Sequence, residues 1–182
     1  MSRAFEQVIE NRFSETPALV GSKVAVLVWI VIAATGLSVV GFIVAAPYAA
    51  SHGHTAFASA IYTTFSYVCH QIPERSFHLE NHKFAVCSRC TGLYVGFALT
   101  ALGYPFVRSL KETRTPGITW LLLSAVPLVV DFSLTYFGIW QNTHLTRFVT
   151  GALLSSVAVF YIVPGLIELS STFTSRFRAK QT

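Results

Sequence analysis

Residues 24–46 contain no charged side chain, and this stretch of about 23 residues limits the folds open to the chain more than any other feature. A helix needs ~20 apolar residues to cross the hydrocarbon core of a bilayer. Later segments that are also long and apolar enough to cross span residues 87–107, 117–140 and 147–169. The sequence therefore predicts an all-α integral membrane protein with about four transmembrane helices.

The overall composition agrees with a membrane protein. Hydrophobic residues make up 53% of the 182 residues and charged residues only 12%, whereas soluble domains carry about 25% charged residues. The net charge is +5, but Lys and Arg lie at the ends of the apolar segments, where a bilayer explains them. We therefore expect the lipid bilayer as partner, and no nucleic acid, for a single membrane domain formed by residues 1–182.

Two shorter segments are predicted to be helices that do not span the membrane. Residues 57–68 are apolar but only about a dozen long, which suits an interfacial or re-entrant helix. Residues 4–13 place several apolar side chains close to one helical face and predict an N-terminal amphipathic helix on the membrane surface, with a frayed polar tail as the alternative. Pro47 is expected to close the first span, and Thr115-Pro116 to begin the third.

The distribution of positive charge predicts the orientation. With four spans, nine of the 13 Lys and Arg residues fall on one side and four on the other, so the first side is expected to be cytoplasmic and to hold both termini. Counting 57–68 as a fifth span gives seven against six, which is no bias. The nine are Arg3, Arg12, Lys23, Arg108, Lys111, Arg114, Arg176, Arg178 and Lys180, and the four are Arg75, Lys83, Arg89 and Arg147.

All three cysteines fall between residues 67 and 96, on the side predicted to be external. In the Cys87-x-x-Cys90 pair, the intervening turn brings two sulfurs to the same side, and the Cys69-His70 dipeptide can complete a tetrahedral site. Zinc is the expected ion for such sulfur and nitrogen ligands, and iron is an alternative. His78 and His82 are secondary ligand candidates, since residues four apart share a face if they lie on a helix.

Thiol redox chemistry is a second interpretation of the same residues. Cys87 and Cys90 are expected at the N-terminus of a transmembrane helix, whose positive dipole end lowers the pKa of a thiol. Four-helix membrane oxidoreductases that pass electrons to quinone place a Cys-x-x-Cys pair in this kind of position. They normally carry a second cysteine pair, whereas Cys69 stands alone here.

Two further readings of the cysteines remain open. Cys69, Arg75 and Ser76 fit the Cys-x5-Arg-Ser/Thr spacing of cysteine phosphatases, but the intervening residues lack the glycines that let backbone N–H groups cradle phosphate, and Glu74 would repel it. The other reading is structural, with one disulfide and one buried thiol tying the outer loop. Arg75 and Arg89 are secondary site candidates under any of these readings.

Asp131 is the other unusual residue, because it lies within an apolar segment. It precedes Trp140 by nine residues, which places it about 13 Å below the expected outer end of its helix. A carboxylate there is costly unless it is paired or solvated, and Arg147 can reach it across a short outer turn. We expect an intramembrane Asp131–Arg147 pair, which is either a structural lock between helices or the wall of a polar pocket under the cysteines.

Several of these motifs together resemble an uncharacterised prokaryotic membrane protein family, domain of unknown function 2085. The matching segments are CHQIPERSF at 69–77, CSRCTGLYVG at 87–96, Asp131, and RFVTG at 147–151. The resemblance covers roughly residues 60–160. Phe132 and the turn QNTHLT depart from the family pattern. The resemblance implies a multi-pass protein of a bacterial or archaeal cytoplasmic membrane, and it implies no activity.

Three hypotheses for function follow. The first is a membrane protein with an outer-face Cys/His metal site. The second is a quinone-linked thiol-disulfide oxidoreductase. The third is a non-catalytic accessory subunit of a larger membrane complex, in which a compact helical protein packs against other membrane subunits.

Overall fold

The computed structural model describes residues 22–179, with side chains described for residues 23–173, so the amphipathic helix predicted for residues 4–13 lies outside it. The described part is mostly helical, with only two short strands, which confirms the predicted fold class. Its helices are α1 (Ser22–Ser51), α2 (Thr55–Ser66), α3 (Ser88–Val107), α4 (Ile118–Tyr136) and α5 (His144–Ala179). Within this part, the four helices other than α2 are long and apolar enough to cross a membrane, and α2, with 12 residues, is too short.

The segment between α2 and α3 is a short 3-10 turn (Pro73–Arg75) followed by a two-stranded hairpin. Strand β1 (His78–Leu79) pairs antiparallel with β2 (His82–Lys83). The two turn residues, Glu80 and Asn81, have φ angles of 48° and 63°, as the tight two-residue hairpin turns with left-handed backbone require. His78 and His82 therefore lie on two strands of a hairpin, not on one face of a helix.

Helices α3 and α5 run in the same direction and pack closely through glycines. A Cβ atom at Gly96 would lie 2.5 Å from the Ala152 carbonyl oxygen, and one at Gly151 would meet the Arg89 carbonyl oxygen. At the far end of the pair, the rings of Tyr104 and Phe160 lie 5.5 Å apart. Small residues allow this approach of two backbones, and the contact fixes the N-terminal ends of α3 and α5 beside each other.

The prediction that Pro47 closes the first span is wrong, because α1 continues to Ser51 with Pro47 inside it. A proline lacks the N–H that would bond to the carbonyl four residues earlier. The Ile43 carbonyl freed in this way accepts a hydrogen bond from the backbone N–H of Ala85, at 3.4 Å. The proline thus provides an attachment point for the chain that leads into α3.

Two predicted helix starts are also displaced. The N-cap of α4 is Gly117, not Thr115. Helix α5 begins at His144, three residues earlier than expected, and a reciprocal cap explains the additional residues: the Thr146 N–H donates to Thr143 Oγ1 at 3.2 Å, and the Thr143 N–H donates to Thr146 Oγ1 at 3.0 Å.

The apolar core has separate clusters at the two ends of the bundle. One cluster, which includes Tyr104, Val159 and Val163, lies between α1, α3 and α5 away from the cysteines. Another contains Ile43 and Val86 and includes the buried Cys69. The cysteine segment is therefore packed into the bundle end and is not a free external loop.

Candidate metal centre

The three cysteine sulfur atoms meet at the N-terminal end of α3, all within 4.8 Å of one another. Cys69 follows α2 and is held there because its N–H donates to the Phe65 carbonyl at 3.0 Å. Cys87 is the N-cap of α3, and Cys90 lies within the first turn of this helix. The backbone N–H of Cys87 donates to the Cys69 sulfur at 3.3 Å, which joins the two halves of the centre.

Cys87 has the character of a thiolate. A hydrogen bond from the Cys90 side chain lowers the pKa of Cys87 to about 5, with smaller contributions in the same direction from the backbone N–H groups of Cys90 and Arg89 and from the Cys69 side chain, while partial burial opposes them. The thiolate is the form of cysteine that binds metals and attacks electrophiles. At neutral pH the centre therefore carries at least one negative charge.

The histidines do not join the sulfurs. His70 is exposed and lines the cavity described below, but its ring is not in the sulfur group, and His78 and His82 are exposed on the hairpin. His70 diverges from its neighbour because the Cys69 side chain turns into the core while the chain bends at Gln71, where φ is 51°. Of the four predicted ligands, the structure brings together the three sulfurs.

Gln71 is a residue of this region that the sequence analysis did not single out. Its side chain is buried and donates through Nε2 to the Tyr62 carbonyl at 2.6 Å, and its own carbonyl accepts from Lys83 Nζ at 2.7 Å. A non-glycine residue with positive φ is held there by its surroundings and often marks a functional site. The sequence feature that could have identified Gln71 as a site residue is its position directly after the Cys69-His70 dipeptide.

The two residues between Cys87 and Cys90 attach the centre to the neighbouring helices. Ser88 Oγ and His144 Nδ1, at the start of α5, are 2.8 Å apart. Arg89 Nη2 lies 2.6 Å from Asp131 Oδ2 on α4, and its guanidinium carbon lies 5.7 Å from the centre of the Phe132 ring. The Cys-x-x-Cys turn is thus fixed by one contact to each of two other helices.

The predicted direct pair between Asp131 and Arg147 is wrong, because the ion-pair partner of Asp131 is Arg89. Asn142 stands between the two predicted partners: its Nδ2 donates to Asp131 Oδ2 at 2.8 Å, and its Oδ1 accepts from Arg147 Nε at 2.5 Å. Helix α4 ends at Tyr136, and Gly138, with φ 70°, turns the chain back so that Asn142 reaches the carboxylate. This turn cannot be inferred from the apolar periodicity, which continues to Trp140.

A cavity of about 580 Å³ opens beside the sulfurs, between the cysteine segment, α3, α4 and the start of α5. Its polar wall includes the cysteines and three arginines, and its apolar wall comes mainly from α3 and α4. The lining side chains are Val68, Cys69, His70, Gln71, Ile72, Arg75, Cys87, Arg89, Cys90, Leu93, Phe132, Thr135, Tyr136, Asn142 and Arg147. A ligand in this cavity would contact both the cysteine sulfurs and the arginines.

These features define a class: a four-span helical membrane protein with a three-cysteine cluster at one end of the bundle. The chain belongs to the family described as "Predicted membrane protein (DUF2085)", whose model matches residues 69–161. This confirms the resemblance carried by the motifs, and the matched region begins at the first cysteine of the cluster.

Similar proteins occur in archaea. The uncharacterized protein MJ1492 of Methanocaldococcus jannaschii is 35% identical over 129 residues, which cover 68% of this chain and 83% of the relative. An uncharacterized protein of Methanothermobacter thermautotrophicus is 40% identical over 87 residues, which cover 48% of this chain and 77% of the relative. No solved structure matches the chain.

Proposed function

We propose that this protein is a membrane metalloprotein in which Cys69, Cys87 and Cys90 bind one zinc ion. The observation that carries the proposal is the grouping of three sulfurs within 4.8 Å, supplied by two separate segments of the chain. Three sulfurs that each lie ~2.3 Å from one tetrahedral zinc ion are ~3.8 Å apart, so the segments need only small adjustments to bind it. Thiolate ligands favour zinc over magnesium or calcium.

The fourth coordination position would face the cavity. Structural zinc sites are closed by four protein ligands, whereas catalytic sites keep one position for water or substrate. His70 lines the cavity without joining the sulfurs, which supports a site with three protein ligands and one exchangeable position. In such a site, zinc activates a bound water molecule or polarises a bound substrate.

The membrane placement is also part of the proposal. The nine-to-four distribution of Lys and Arg favours cytoplasmic termini and an external zinc centre. The relatives in archaea favour a prokaryotic cytoplasmic membrane as the location.

The test is the zinc content and free-thiol count of detergent-purified protein. We expect about one zinc per chain, with Zn–S distances of ~2.3 Å by X-ray absorption. Cys69→Ser, Cys87→Ser and Cys90→Ser should each lower the zinc content to near zero. His70→Ala should keep most of it, because water can take the fourth position, and the exposed His82→Ala is the matched control. Metal-free protein that keeps its fold, with Cys87 and Cys90 joined in a disulfide, would contradict the proposal.

A second candidate function is thiol-disulfide exchange, favoured by the pKa of about 5 for Cys87. A low-pKa cysteine in a Cys-x-x-Cys pair is typical of disulfide oxidoreductases. This function predicts no stoichiometric metal, a Cys87–Cys90 disulfide in the oxidised protein, and a gain of two thiols per chain on reduction. The same two measurements therefore separate the candidates.

A further inference from the structure

The arginines of the cavity are more numerous than the carboxylates that could neutralise them. Arg75, Arg89 and Arg147 all line it. Asp131 pairs with Arg89, and in the described part of the chain no carboxylate lies within 4.0 Å of the other two guanidinium groups. Glu74 is next to Arg75 in the chain but does not line the cavity.

Arg75 and Arg147 come from different parts of the fold and face the same space. Arg75 ends the 3-10 turn after the first cysteine and is exposed, whereas Arg147 lies in the first turn of α5 and is half-buried. Both guanidinium groups line the same cavity. Holding two like charges at one cavity is unfavourable unless a negative group lies between them.

The charge balance of the cavity with zinc leaves one positive charge in excess. Three thiolates around a divalent ion carry one net negative charge, the Arg89–Asp131 pair is neutral, and Arg75 and Arg147 add two positive charges. This count rests on the proposed zinc centre. A ligand that suits the cavity is therefore an anion able to contact two guanidinium groups.

We propose that the cavity binds the phosphate group of a ligand between Arg75 and Arg147, beside the three-cysteine centre. Arginine recognises phosphate through parallel hydrogen bonds from its planar guanidinium. A phosphate monoester offers several acceptor oxygens and between one and two negative charges at neutral pH, so it can satisfy both arginines and direct a further oxygen toward the zinc position.

The rest of the cavity indicates where such a phosphate comes from. At about 580 Å³ the cavity is much larger than a phosphate ion, and Leu93, Phe132 and Tyr136 form an apolar wall beside the arginines. Phe132 and Tyr136 are on α4, whose outward side chains face the bilayer region. A phosphate carried by a membrane lipid fits both walls, and free phosphate fits only the polar one.

The test is calorimetric binding to the full-length protein in detergent. The probes are dioctanoyl phosphatidic acid, dioctanoyl phosphatidylcholine and inorganic phosphate. We expect phosphatidic acid to bind, phosphatidylcholine to bind at least tenfold more weakly, and Arg75→Gln and Arg147→Gln each to weaken phosphatidic acid binding at least tenfold. Arg114→Gln, which removes an exposed arginine near the opposite end of the bundle, is the matched control and should bind as the wild type does.

Two additional measurements keep the test decisive. Arg147→Lys retains the charge and should keep more affinity than Arg147→Gln, which separates loss of a phosphate contact from loss of folding. Zinc content is measured on the same samples. Zinc without phosphate binding overturns this proposal alone, and arginine-dependent phosphate binding without zinc overturns only the metal centre.

The remaining outcomes of the binding experiment also support or overturn the proposal. Equal affinity for inorganic phosphate and phosphatidic acid supports the phosphate site with a soluble source. Binding of phosphatidic acid that is unchanged in both Arg75→Gln and Arg147→Gln, or no binding of either phosphate probe, overturns the proposal.

Discussion

Arg89 and Asp131 form an ion pair between α3 and α4 in which both side chains are largely buried, with exposed fractions of 21% and 10%. The Nε atom of Arg89 is buried without a hydrogen-bond partner in the described part of the chain, so the pair and its contact with the Phe132 ring hold the guanidinium in place. Removing one partner of a buried pair leaves an uncompensated charge. Asn142 also donates a hydrogen bond to the Asp131 carboxylate. Because Asn142 is neutral, it cannot replace the positive charge of Arg89.

Arg89→Met should therefore destabilise the protein more than Arg147→Met does. The first change leaves the Asp131 carboxylate buried without a cation and should cost about 3 kcal/mol of unfolding free energy. The second removes a hydrogen bond to Asn142 and should cost about 1 kcal/mol. Thermal unfolding midpoints in detergent would provide the comparison.

The double variant Arg89→Met/Asp131→Asn is the control for this prediction. Because it removes both charges, it should recover part of the stability lost in Arg89→Met alone. A double variant that is less stable than the wild type by the full sum of the two single effects would mean that the two charges do not interact.

Within helix α1, Pro47 leaves the Ile43 carbonyl without its usual partner in the helix, and the backbone N–H of Ala85 donates to this carbonyl instead. Pro105 in α3 has the same effect: the Ala101 carbonyl, four residues before it, accepts a hydrogen bond from Trp29 Nε1 at 2.7 Å. Each proline thus removes one backbone hydrogen bond from its helix, and the carbonyl left free accepts a hydrogen bond from another segment of the chain.

Pro47→Ala should loosen the cysteine segment. The new N–H of residue 47 would compete with Ala85 for the Ile43 carbonyl, so zinc release to a chelator should become faster by on the order of fivefold, equivalent to the ~1 kcal/mol of one hydrogen bond. Pro127→Ala in α4 is the matched control, since no described group outside α4 donates to the Leu123 carbonyl. Equal release rates in both variants would show that the Ala85 bond does not support the site.

The helices could be predicted from the sequence because their apolar length depends on the bilayer alone. Their ends were less predictable. Apolar periodicity does not predict hydrogen bonds at helix ends, such as the reciprocal cap of Thr143 and Thr146. It also does not predict the turn at Gly138, which has a positive φ angle. The behaviour of Pro47 depends on Ala85, almost forty residues away, and no local rule predicts that contact.

Only part of the candidate site could be predicted from the sequence, because its other members depend on long-range contacts. The three cysteines stood out because all of them fall in one short segment. The remaining features depend on three-dimensional packing, which sequence spacing does not determine. His70 lies outside the sulfur group, and Arg89 instead of Arg147 is the ion-pair partner of Asp131. Asn142 and Gln71 also belong to the site. Side chains from four separate segments meet there.

At the scale of the whole molecule, the cysteine end of the bundle should be external and both termini cytoplasmic. A protease recognition sequence inserted between Glu80 and Asn81, in the exposed hairpin turn, should be cleaved from the outside of intact cells. The same sequence appended after Thr182 should be cleaved only from the cytoplasmic side, in inside-out vesicles. The charge distribution is the physical reason.

Each insertion serves as the control for the other in this topology experiment. An impermeant protease that cleaves the hairpin in cells and the C-terminal site in inverted vesicles supports the four-span orientation. Cleavage of both sites from the same side would mean that the number of spans between them is even, whereas three candidate spans, α3, α4 and α5, follow the hairpin.

The two contacts that hold the Cys-x-x-Cys turn also have a consequence for synthesis. Cys69, Cys87 and Cys90 are all translated before α4, yet the partner of Arg89 lies 42 residues later and that of Ser88 lies 56 residues later. While the chain emerges, the Cys-x-x-Cys turn can be held only by contacts to earlier segments, such as the hydrogen bond from the Cys87 N–H to the Cys69 sulfur. The contacts to Asp131 and His144 form only when α4 and the start of α5 have been inserted, so a chain that stalls before His144 carries all three sulfurs but lacks the contact of Ser88.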